Sequence, residues 1–395
     1  MKKLHILKLP SWYSSSSAPA GGLFVCNQAQ ILKENGLSVN VLANVEIAIT
    51  SHKIKYFTYP YQAFVSKENN LTVFRNYFRN LPKLQKWNDK RWIKSTFKLF
   101  EKYQKIFGKP DLIHAHSAIW GGYAAYMIKE KYDIPYIITE HHSIMSNLCD
   151  YSKNSFEEWK TPYYKKAYSN ADYIIPVSDL IQPKIETYLT KKVPIRPISN
   201  VLDTDYFYYK KRKNIEKTKF VACNGFYFQK GYDILIPAFD AACDKNPNIE
   251  ITIVGENFEQ KEFRNTLWKN VKNKDKFYFT GELTAEGVRS ELWQANVFII
   301  PSRAESQSVA TLEALSTGLP IIATSTIPKI MTTPQNSLVV PVENIEAMTN
   351  AILKMSEMFT EYDGNVISEH IKQICGKDAF AKAIMEIYEQ VINKQ

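Results

Sequence analysis

Short apolar runs recur along both halves of the chain, and each is separated from the next by a turn and a stretch with helical spacing. The runs predicted as strands are LHILKL, SVNVLA, DLIHAH, PYIITE and DYIIPVS in the first half, and KFVACNG, EITIVGE, KFYFTG, NVFIIPS and PIIATS in the second. Helices are predicted between them, such as GLFVCNQAQILKENG, which Gly36 closes. Because strands that alternate with helices form parallel sheets, the pattern predicts an α/β fold with two Rossmann-like halves.

The length of 395 residues exceeds what one hydrophobic core usually fills, so two domains are expected. Between the two series of strands lies PISNVLDTDYFYYKKRKNIEKTK, which ends in a charged run without periodicity. We therefore predict an N-terminal domain over residues 1–203 and a C-terminal domain over residues 204–376. A final amphipathic helix is predicted over residues 377–395, and we expect it to return to the N-terminal domain.

The composition is that of an ordinary globular protein, with 45% hydrophobic and 23% charged residues. The five cysteines are far apart and form no CxxC pair, which argues against a disulfide framework or a thiolate zinc site. The apolar run before Pro10 is too short for a signal peptide, and no run reaches the roughly 18 residues that span a bilayer. We therefore expect a cytoplasmic protein that is either soluble or peripheral at the inner face of the membrane.

Nearly all of the net charge of +10 lies in residues 75–109, which contain eleven Lys and Arg residues and only two acidic residues, Asp89 and Glu101. Aromatic residues are interleaved with these cations, and an apolar stripe runs at helical spacing through Ile93, Phe97, Phe100 and Phe107. Two interpretations of this segment are open. The helix docks on an anionic bilayer and brings the protein to a lipid-linked ligand, or it buries the stripe in the N-terminal domain and leaves its lysines in water.

Two glutamates, Glu305 and Glu313, are eight residues apart in NVFIIPSRAESQSVATLEALSTGLPIIATS, which reads as strand, loop, helix and strand. Ligands of parallel α/β sheets bind beyond the carboxyl ends of the strands, which is where this loop lies. Helical side chains lean toward the N-terminus, so Glu313 is expected to point toward Glu305. The helix start, capped by Ser306 or Ser308, would bind a phosphate. These features favour a nucleotide-sugar, although a chance pair of exposed glutamates remains the alternative.

This segment resembles the signature of glycosyltransferase family four, which comprises retaining sugar transferases of the GT-B architecture, with two Rossmann-like domains facing across a cleft. The matching residues are Pro301, Ser302, Glu305, Glu313, Gly318 and Pro320. The Gly-Phe-Gly of the family is replaced here by Ser306, Gln307 and Ser308. The resemblance implies that Glu305 positions the donor sugar, that Glu313 holds the ribose, and that the backbone at Ser308 and Val309 binds the diphosphate.

Three further segments extend the resemblance. SWYSSSSAPAGGLFVCNQAQILKENG is similar to the family's opening loop, where Gly21 and Gly22 would let the backbone approach the donor phosphates, although a tight turn alone would also use glycine. Lys230 in KFVACNGFYFQKG would offset the diphosphate charge, while Gly225 stands where the family has an arginine. Leu283, in GEL, lies in the loop expected to contact the nucleobase.

Four of the seven histidines lie within 29 residues, in DLIHAHSAIWGG and ITEHHS. No acid or thiol joins them at a recognised ligand spacing, so we expect no metal site. His116 matches the family's active-site histidine, and His114 is expected to be buried and structural. On the acceptor side we place His141 and Trp120.

The segment ISNVLDTDYF contains Asp203-Thr204-Asp205, which imitates the metal-binding triplet of a different glycosyltransferase architecture. We interpret it instead as part of a hinge. The hinge residues that match the family pattern are Asn200, Leu202, Asp203 and Phe207, with Val201 in place of the family's glycine.

The resemblance implies transfer of a hexose-type sugar, with retention of configuration, from a nucleoside diphosphate to a saccharide or lipid-linked acceptor in cell-surface polysaccharide assembly. His116, Glu305 and Lys230 would be catalytic, and no metal or other cofactor would be required. One alternative is a nucleotide-sugar epimerase of similar architecture. Another is a basic membrane or nucleic-acid binder without transferase activity. We expect no nucleic-acid partner, because nucleic-acid binding would leave the glutamate and glycine loops without a role.

Overall fold

The structure is a computed structural model that describes residues 3–13, 22–48, 63–142, 158–212, 217–256, 258–259 and 261–394. The described residues form two compact units. The first contains those up to His142, residues 158–201 and residues 380–394, and the second contains Leu202–Ala379. The chain therefore passes from one unit to the other at Val201–Leu202, close to the predicted boundary at 203–204.

The first unit contains a seven-stranded sheet with the order β3-β4-β2-β1-β5-β6-β7. Its strands are β1 (His5–Pro10), β2 (Ser38–Ala48), β3 (Phe64–Glu68), β4 (Leu71–Asn80), β5 (Leu112–His116), β6 (Tyr136–Glu140) and β7 (Tyr173–Pro176). Its helices include α1 (Leu23–Glu34), α2 (Gln85–Phe107), α3 (Tyr123–Tyr132), α4 (Thr161–Ser169) and α5 (Gln182–Glu186). All pairings are parallel except that of β3 with β4.

The hairpin of β3 and β4 was not predicted from the sequence. Its two-residue turn is Asn69-Asn70, and both residues have positive φ, as a tight hairpin turn requires. The basic segment at residues 75–109 therefore begins within a strand of the sheet, and its helix starts only at Gln85.

The apolar stripe of α2 packs inside the first unit. Ile93 and Phe100 are buried, Phe97 stacks on Tyr132, and Phe107 lies against Tyr103. Burial of such side chains stabilises a fold by about 1.5–3 kcal/mol each. The structure thus matches the interpretation in which the domain, and not a bilayer, receives the stripe. The lysines beside the stripe, Lys94, Lys98 and Lys102, are exposed.

The second unit contains a six-stranded parallel sheet with the order β10-β9-β8-β11-β12-β13. Its strands are β8 (Thr218–Cys223), β9 (Ile249–Val254), β10 (Phe277–Gly281), β11 (Val297–Ile300), β12 (Ile321–Thr324) and β13 (Ser337–Val340). Its helices are α6 (Tyr232–Lys245), α7 (Lys261–Thr266), α8 (Ala285–Gln294), α9 (Val309–Ser316), α10 (Ile345–Met358) and α11 (Gly364–Cys375).

Alternate residues of β8 enter two different cores. Phe220 and Ala222 belong to one, and Val221 and Cys223 belong to the other. A strand buried on both faces needs a largely apolar run, which explains why β8 is readable in the sequence.

The chain ends in α12 (Lys377–Ile392), which packs on the first unit. Phe380, Ile384 and Tyr388 share a core with Ile6 and Val25. At the start of this helix the Lys377 ammonium lies 2.9 Å from Asp203 and 3.9 Å from Asp205. The two aspartates of the metal-like triplet are therefore paired with a lysine. No helix within the described ranges is both long enough and apolar enough to cross a membrane.

Candidate functional site

The Glu305 carboxylate lies in the loop that joins β11 to α9, and it is only 6% exposed. Its Oε1 atom accepts hydrogen bonds from Lys230 Nζ at 2.7 Å and from Ser302 Oγ at 2.7 Å. Its other oxygen, Oε2, has no hydrogen-bond partner among the residues described. A buried carboxylate with one oxygen anchored and the other available is suited to hold a polar ligand group.

Gly231 brings Lys230 next to Glu305. Lys230 ends a short 3-10 turn (Phe228–Lys230), and Gly231 follows it with φ +67° in the left-handed region. A Cβ atom at Gly231 would lie 2.1 Å from the carbonyl oxygen of Pro301, just after β11. Because only glycine allows this approach, the turn packs directly on the glutamate loop.

Arg303 clamps the same two loops together. Its guanidinium donates two hydrogen bonds of 2.7 Å to the Asp233 carboxylate and one of 2.8 Å to Glu343. It also donates to the Phe228 carbonyl and lies over the ring of Phe228. These acidic partners raise the pKa of Arg303, so it stays charged although it is buried. Arg303 thereby holds the Phe228–Lys230 turn against the loop that carries Glu305.

The start of α9 forms the next part of the site. Ser308 is the N-cap, and its hydroxyl accepts a 3.3 Å hydrogen bond from the Thr311 N–H. Of the two predicted caps, the structure uses Ser308. The first N–H groups of a helix have no carbonyl partner within the helix, so those of Val309 and Ala310 can bind an anion.

Glu313 lies one turn further along α9 and is partly exposed. Burial raises the pKa of its carboxyl to about 7. No hydrogen bond or ion pair holds this carboxylate among the residues that the structure describes. At the end of β8, burial raises the pKa of the Cys223 thiol, and the nearby charge of Glu313 raises it further.

Two predicted donor residues lie in neighbouring loops of the same unit. Gly225 follows β8, and a Cβ atom there would lie 2.6 Å from the ring of the exposed Tyr227, so a larger residue at this position requires that side chain to move. Leu283 follows β10 and packs against the core under α8. The loops after β8, β10 and β11 all leave the carboxyl ends of parallel strands.

Sequence comparisons assign the chain to a family. Residues 27–206 match the model of Glycosyltransferase Family 4, and residues 217–358 match that of Glycosyl transferases group 1. The chain belongs to the family-four type of glycosyltransferases. It is 25% identical over 369 residues to TuaC of Bacillus subtilis, which is assigned to teichuronic acid biosynthesis as a glycosyltransferase, and the match covers 89% of each chain.

Solved structures show that this glycosyltransferase has the GT-B architecture, with two Rossmann-like domains. Sucrose-phosphate synthase from Thermosynechococcus elongatus is similar with a TM-score of 0.77 and 18% identity, over 99% of this chain and 100% of that one. HepE of Anabaena in complex with UDP is similar with a TM-score of 0.72 and 14% identity, over 98% of this chain and 100% of that one.

The first unit of the glycosyltransferase holds the predicted histidines in a stack. The rings of His114 and His116 lie 4.7 Å apart, and His116 Nδ1 lies 3.0 Å from His141 Nε2. Burial lowers the pKa of His116 far below its usual value and that of His141 to about 3, so both rings are neutral at physiological pH. His116 Nε2 is buried and lacks a partner among the described residues.

His114 has the structural role expected of it. The ring is fully buried, and its Nδ1 atom lies 2.8 Å from Lys8 Nζ and 2.7 Å from the Tyr388 hydroxyl, while Nε2 lies 2.7 Å from Thr139 Oγ1. Burial lowers the pKa of Lys8 well below its usual value. These contacts tie α12 to the strands that carry the histidine stack.

Sequence reasoning did not find Glu140, which supports this region. Its carboxylate is 1% exposed and accepts hydrogen bonds from the N–H groups of His141, His142 and Ala118 and from the Tyr168 hydroxyl. It thereby fixes the loop after β6 and the turn Ala118–Gly122. The feature of the sequence that could have indicated Glu140 is the presence of a glutamate at the end of an apolar strand.

The remaining predicted residues of the first unit are Gly21, Gly22 and Trp120. Gly21 lies outside the described residues. Gly22 precedes α1 with φ +71°, and a Cβ atom there would lie 2.8 Å from the Trp12 carbonyl oxygen, so glycine is needed for close packing. Trp120 is buried and donates its indole N–H to Asp89 at 2.8 Å. Within the described part of the chain, no three His, Cys, Asp or Glu side chains are grouped to hold a metal.

Proposed function

We propose that this glycosyltransferase moves a hexose-type sugar from a nucleoside diphosphate to a saccharide or lipid-linked acceptor, with retention of configuration. The observation that carries the proposal is the ion pair of 2.7 Å between Lys230 and Glu305 beside the start of α9. Lys230 supplies a cation for the diphosphate, and the start of α9 supplies free N–H groups for it. Glu305 supplies a carboxylate for the sugar. HepE, a structural neighbour, binds UDP.

In this proposal each side chain has one task. Glu305 Oε2 accepts a hydrogen bond from a donor-sugar hydroxyl, and Glu313 accepts from the ribose hydroxyls. Lys230 and the N–H groups of Val309 and Ala310 stabilise the charge that develops on the leaving phosphate. His116, which is neutral and belongs to the first unit, is assigned the task of offering Nε2 to a sugar hydroxyl.

We propose that the reaction needs no metal ion, since Lys230 and the helix start supply the positive charge that the leaving diphosphate requires. Of the described groups at this position, the Ser302 hydroxyl is bonded to the Glu305 carboxylate, and that carboxylate is assigned to the donor sugar, so we assign a covalent role to neither. We therefore propose attack on the same face from which the phosphate departs, with the phosphate taking the proton of the acceptor hydroxyl.

The decisive experiment is a thermal-shift screen of UDP-, GDP- and ADP-sugars in the presence of EDTA, followed by NMR of the product formed with the donor that binds. One donor class is expected to raise the melting temperature, because a ligand that binds only the folded state stabilises it. The product's anomeric configuration is expected to equal that of the donor. No stabilisation by any nucleotide-sugar, or an inverted product, would contradict the proposal.

Donor binding is expected to strengthen as the pH rises from 6 to 8, through the pKa of the Glu313 carboxyl. The pKa of Glu313 is raised to about 7 by burial, and the ionised form is the better acceptor for ribose hydroxyls. If only that form binds, affinity for UDP increases by about tenfold between pH 6 and pH 8. Titration calorimetry measures this change, and Glu313→Gln is the control that removes it while leaving the titration of UDP itself in place. An equal pH dependence in both proteins would refute the role of Glu313.

The basic face of α2 is proposed to contact anionic lipid while the stripe remains in the core. Trp87 and Leu84 are exposed at the start of the helix, among Lys83, Lys86 and Lys90. Each Lys near an anionic surface contributes about 1 kcal/mol. In flotation assays we expect binding to vesicles that contain about 30% anionic lipid, and loss of binding in Lys83→Gln/Lys86→Gln/Lys90→Gln. Equal flotation with neutral vesicles would show that charge is not responsible.

The proposed place of the reaction is polysaccharide assembly at the cell surface. The support is the similarity to TuaC over 89% of each chain. The donor screen identifies the sugar and the nucleobase.

A further inference from the structure

A cavity of about 380 Å³ lies within the first unit, next to the start of α2. Trp12, Trp92 and Trp120 line it, together with Glu46 and Asp89. Its size is within the range of small-molecule sites, and aromatic walls with a few polar groups are typical of such sites. The C–H face of a pyranose ring packs well on tryptophan.

Two carboxylates, those of Glu46 and Asp89, line this cavity together with the ammonium group of Lys160. Asp89 is 3% exposed, and its Oδ1 atom accepts from Trp120 Nε1 at 2.8 Å and from Gln85 Nε2 at 3.0 Å. Lys160 lies 4.0 Å from the other oxygen and balances part of the Asp89 charge. Glu46 accepts a 3.4 Å hydrogen bond from Asn80.

The two carboxylates influence each other. The pKa of Glu46 is raised, first by burial and then by the negative charge of Asp89. Within the described part of α2, which otherwise exposes lysines and arginines, Asp89 is a buried acid turned toward this cavity. A ligand that donates hydrogen bonds satisfies both carboxylates, whereas a further negative charge is repelled.

We propose that this cavity binds the acceptor sugar, and that Glu46 and Asp89 select a unit that presents hydroxyl or amino groups and not a carboxylate. The inference rests on the proposed transferase function and specifies its acceptor. In this proposal the Trp120 indole packs on the sugar ring, and its hydrogen bond to Asp89 fixes the orientation of the indole. The residues are specificity-determining, and neither is assigned a part in the bond-breaking step.

The test is saturation-transfer NMR with three probes: methyl glucoside, methyl glucosaminide and methyl glucuronide. The first two are expected to bind the wild-type protein, with the glucuronide at least about tenfold weaker. In Glu46→Gln/Asp89→Asn the penalty for the glucuronide is expected to fall severalfold. The asparagine keeps an oxygen atom that accepts the hydrogen bond from Trp120. If the double variant has a lowered melting temperature, Glu46→Gln alone is used for the test.

Glu101→Gln is the matched control, because this acid lies on the same helix but pairs with Lys131 at 2.8 Å on the surface. It is expected to leave the penalty for the glucuronide unchanged. Equal binding of the glucuronide to wild type, an unchanged glucuronide penalty in Glu46→Gln/Asp89→Asn, or no glycoside binding in a sample that binds its nucleotide would each overturn the inference. Loss of nucleotide binding in the wild-type sample would instead reject the transferase proposal.

Discussion

Replacing Lys230 by methionine is expected to lower the rate of sugar transfer by roughly 10²–10³-fold, the usual effect of removing one preorganised charge donor. Lys230 Nζ lies 2.7 Å from Glu305 and is 25% exposed, so it is close to the proposed leaving group without being solvated like a surface lysine. Glu305→Gln is expected to lower the rate to a similar degree, because an amide neither holds Lys230 as an ion pair nor presents the same acceptor. Donor consumption and product formation measure both variants.

A matched control for this pair exists in the same unit. Lys219 lies 3.4 Å from Glu250, and its side chain is 39% exposed. Lys219→Met is expected to leave transfer within about twofold of wild type, since exposed ion pairs contribute little. Full turnover in both Lys230→Met and Glu305→Gln would end the assignment of this site. A matching loss in Lys219→Met would indicate a general effect of removing lysines.

Replacing Arg303 by methionine is expected to reduce the free energy of unfolding by about 2–3 kcal/mol, which lowers the melting temperature by roughly 4–12 °C. The guanidinium side chain is 3% exposed, whereas Asp233 and Glu343 are 35% and 46% exposed and can regain water when it is lost. We therefore expect a smaller loss in the free energy of unfolding than from breaking a fully buried ion pair. Differential scanning calorimetry measures the change.

The same substitution is expected to reduce transfer at temperatures where the protein remains folded, because Arg303 holds the turn that carries Lys230. Arg303→Lys keeps the charge but loses the two-pronged contact with Asp233, so an intermediate effect is expected. Arg196→Met is the control: its ion pair with Glu386 is exposed at 47% and 43%, and we expect a change below about 1 kcal/mol. If Arg303→Met melts like this control, the clamp has no stabilising role.

All ten strands predicted from apolar runs are present, because buried parallel strands need unbroken apolar sequence. The missed strands had weaker signals. In β3 and β4, apolar and polar residues mix, as at a sheet edge, and the short β13 is buried only at its two ends. The helix after Glu305 was predicted with its cap and its glycine end, since both depend on local backbone chemistry.

The site itself was predicted unevenly. Glu305, Glu313 and Lys230 came from a local pattern and a family resemblance, and they lie in the same unit. Arg303 was missed although it lies in the predicted loop, two residues before Glu305. Its importance depends on Asp233 and Glu343, which are 70 and 40 residues away and which no spacing rule connects to it. Glu140 was missed for the same reason, since its donors come from several elements.

The sequence by itself determined the α/β class and the loop on which Glu305 lies, because periodicity and helix capping act over a few neighbouring residues. Only the tertiary structure decided which side chains meet. Gly231 packing on Pro301, the Arg303 clamp and the burial of the α2 stripe all join segments distant along the chain. The energy of these contacts depends on distance in space and on exclusion of water, and neither is encoded in any short stretch of sequence.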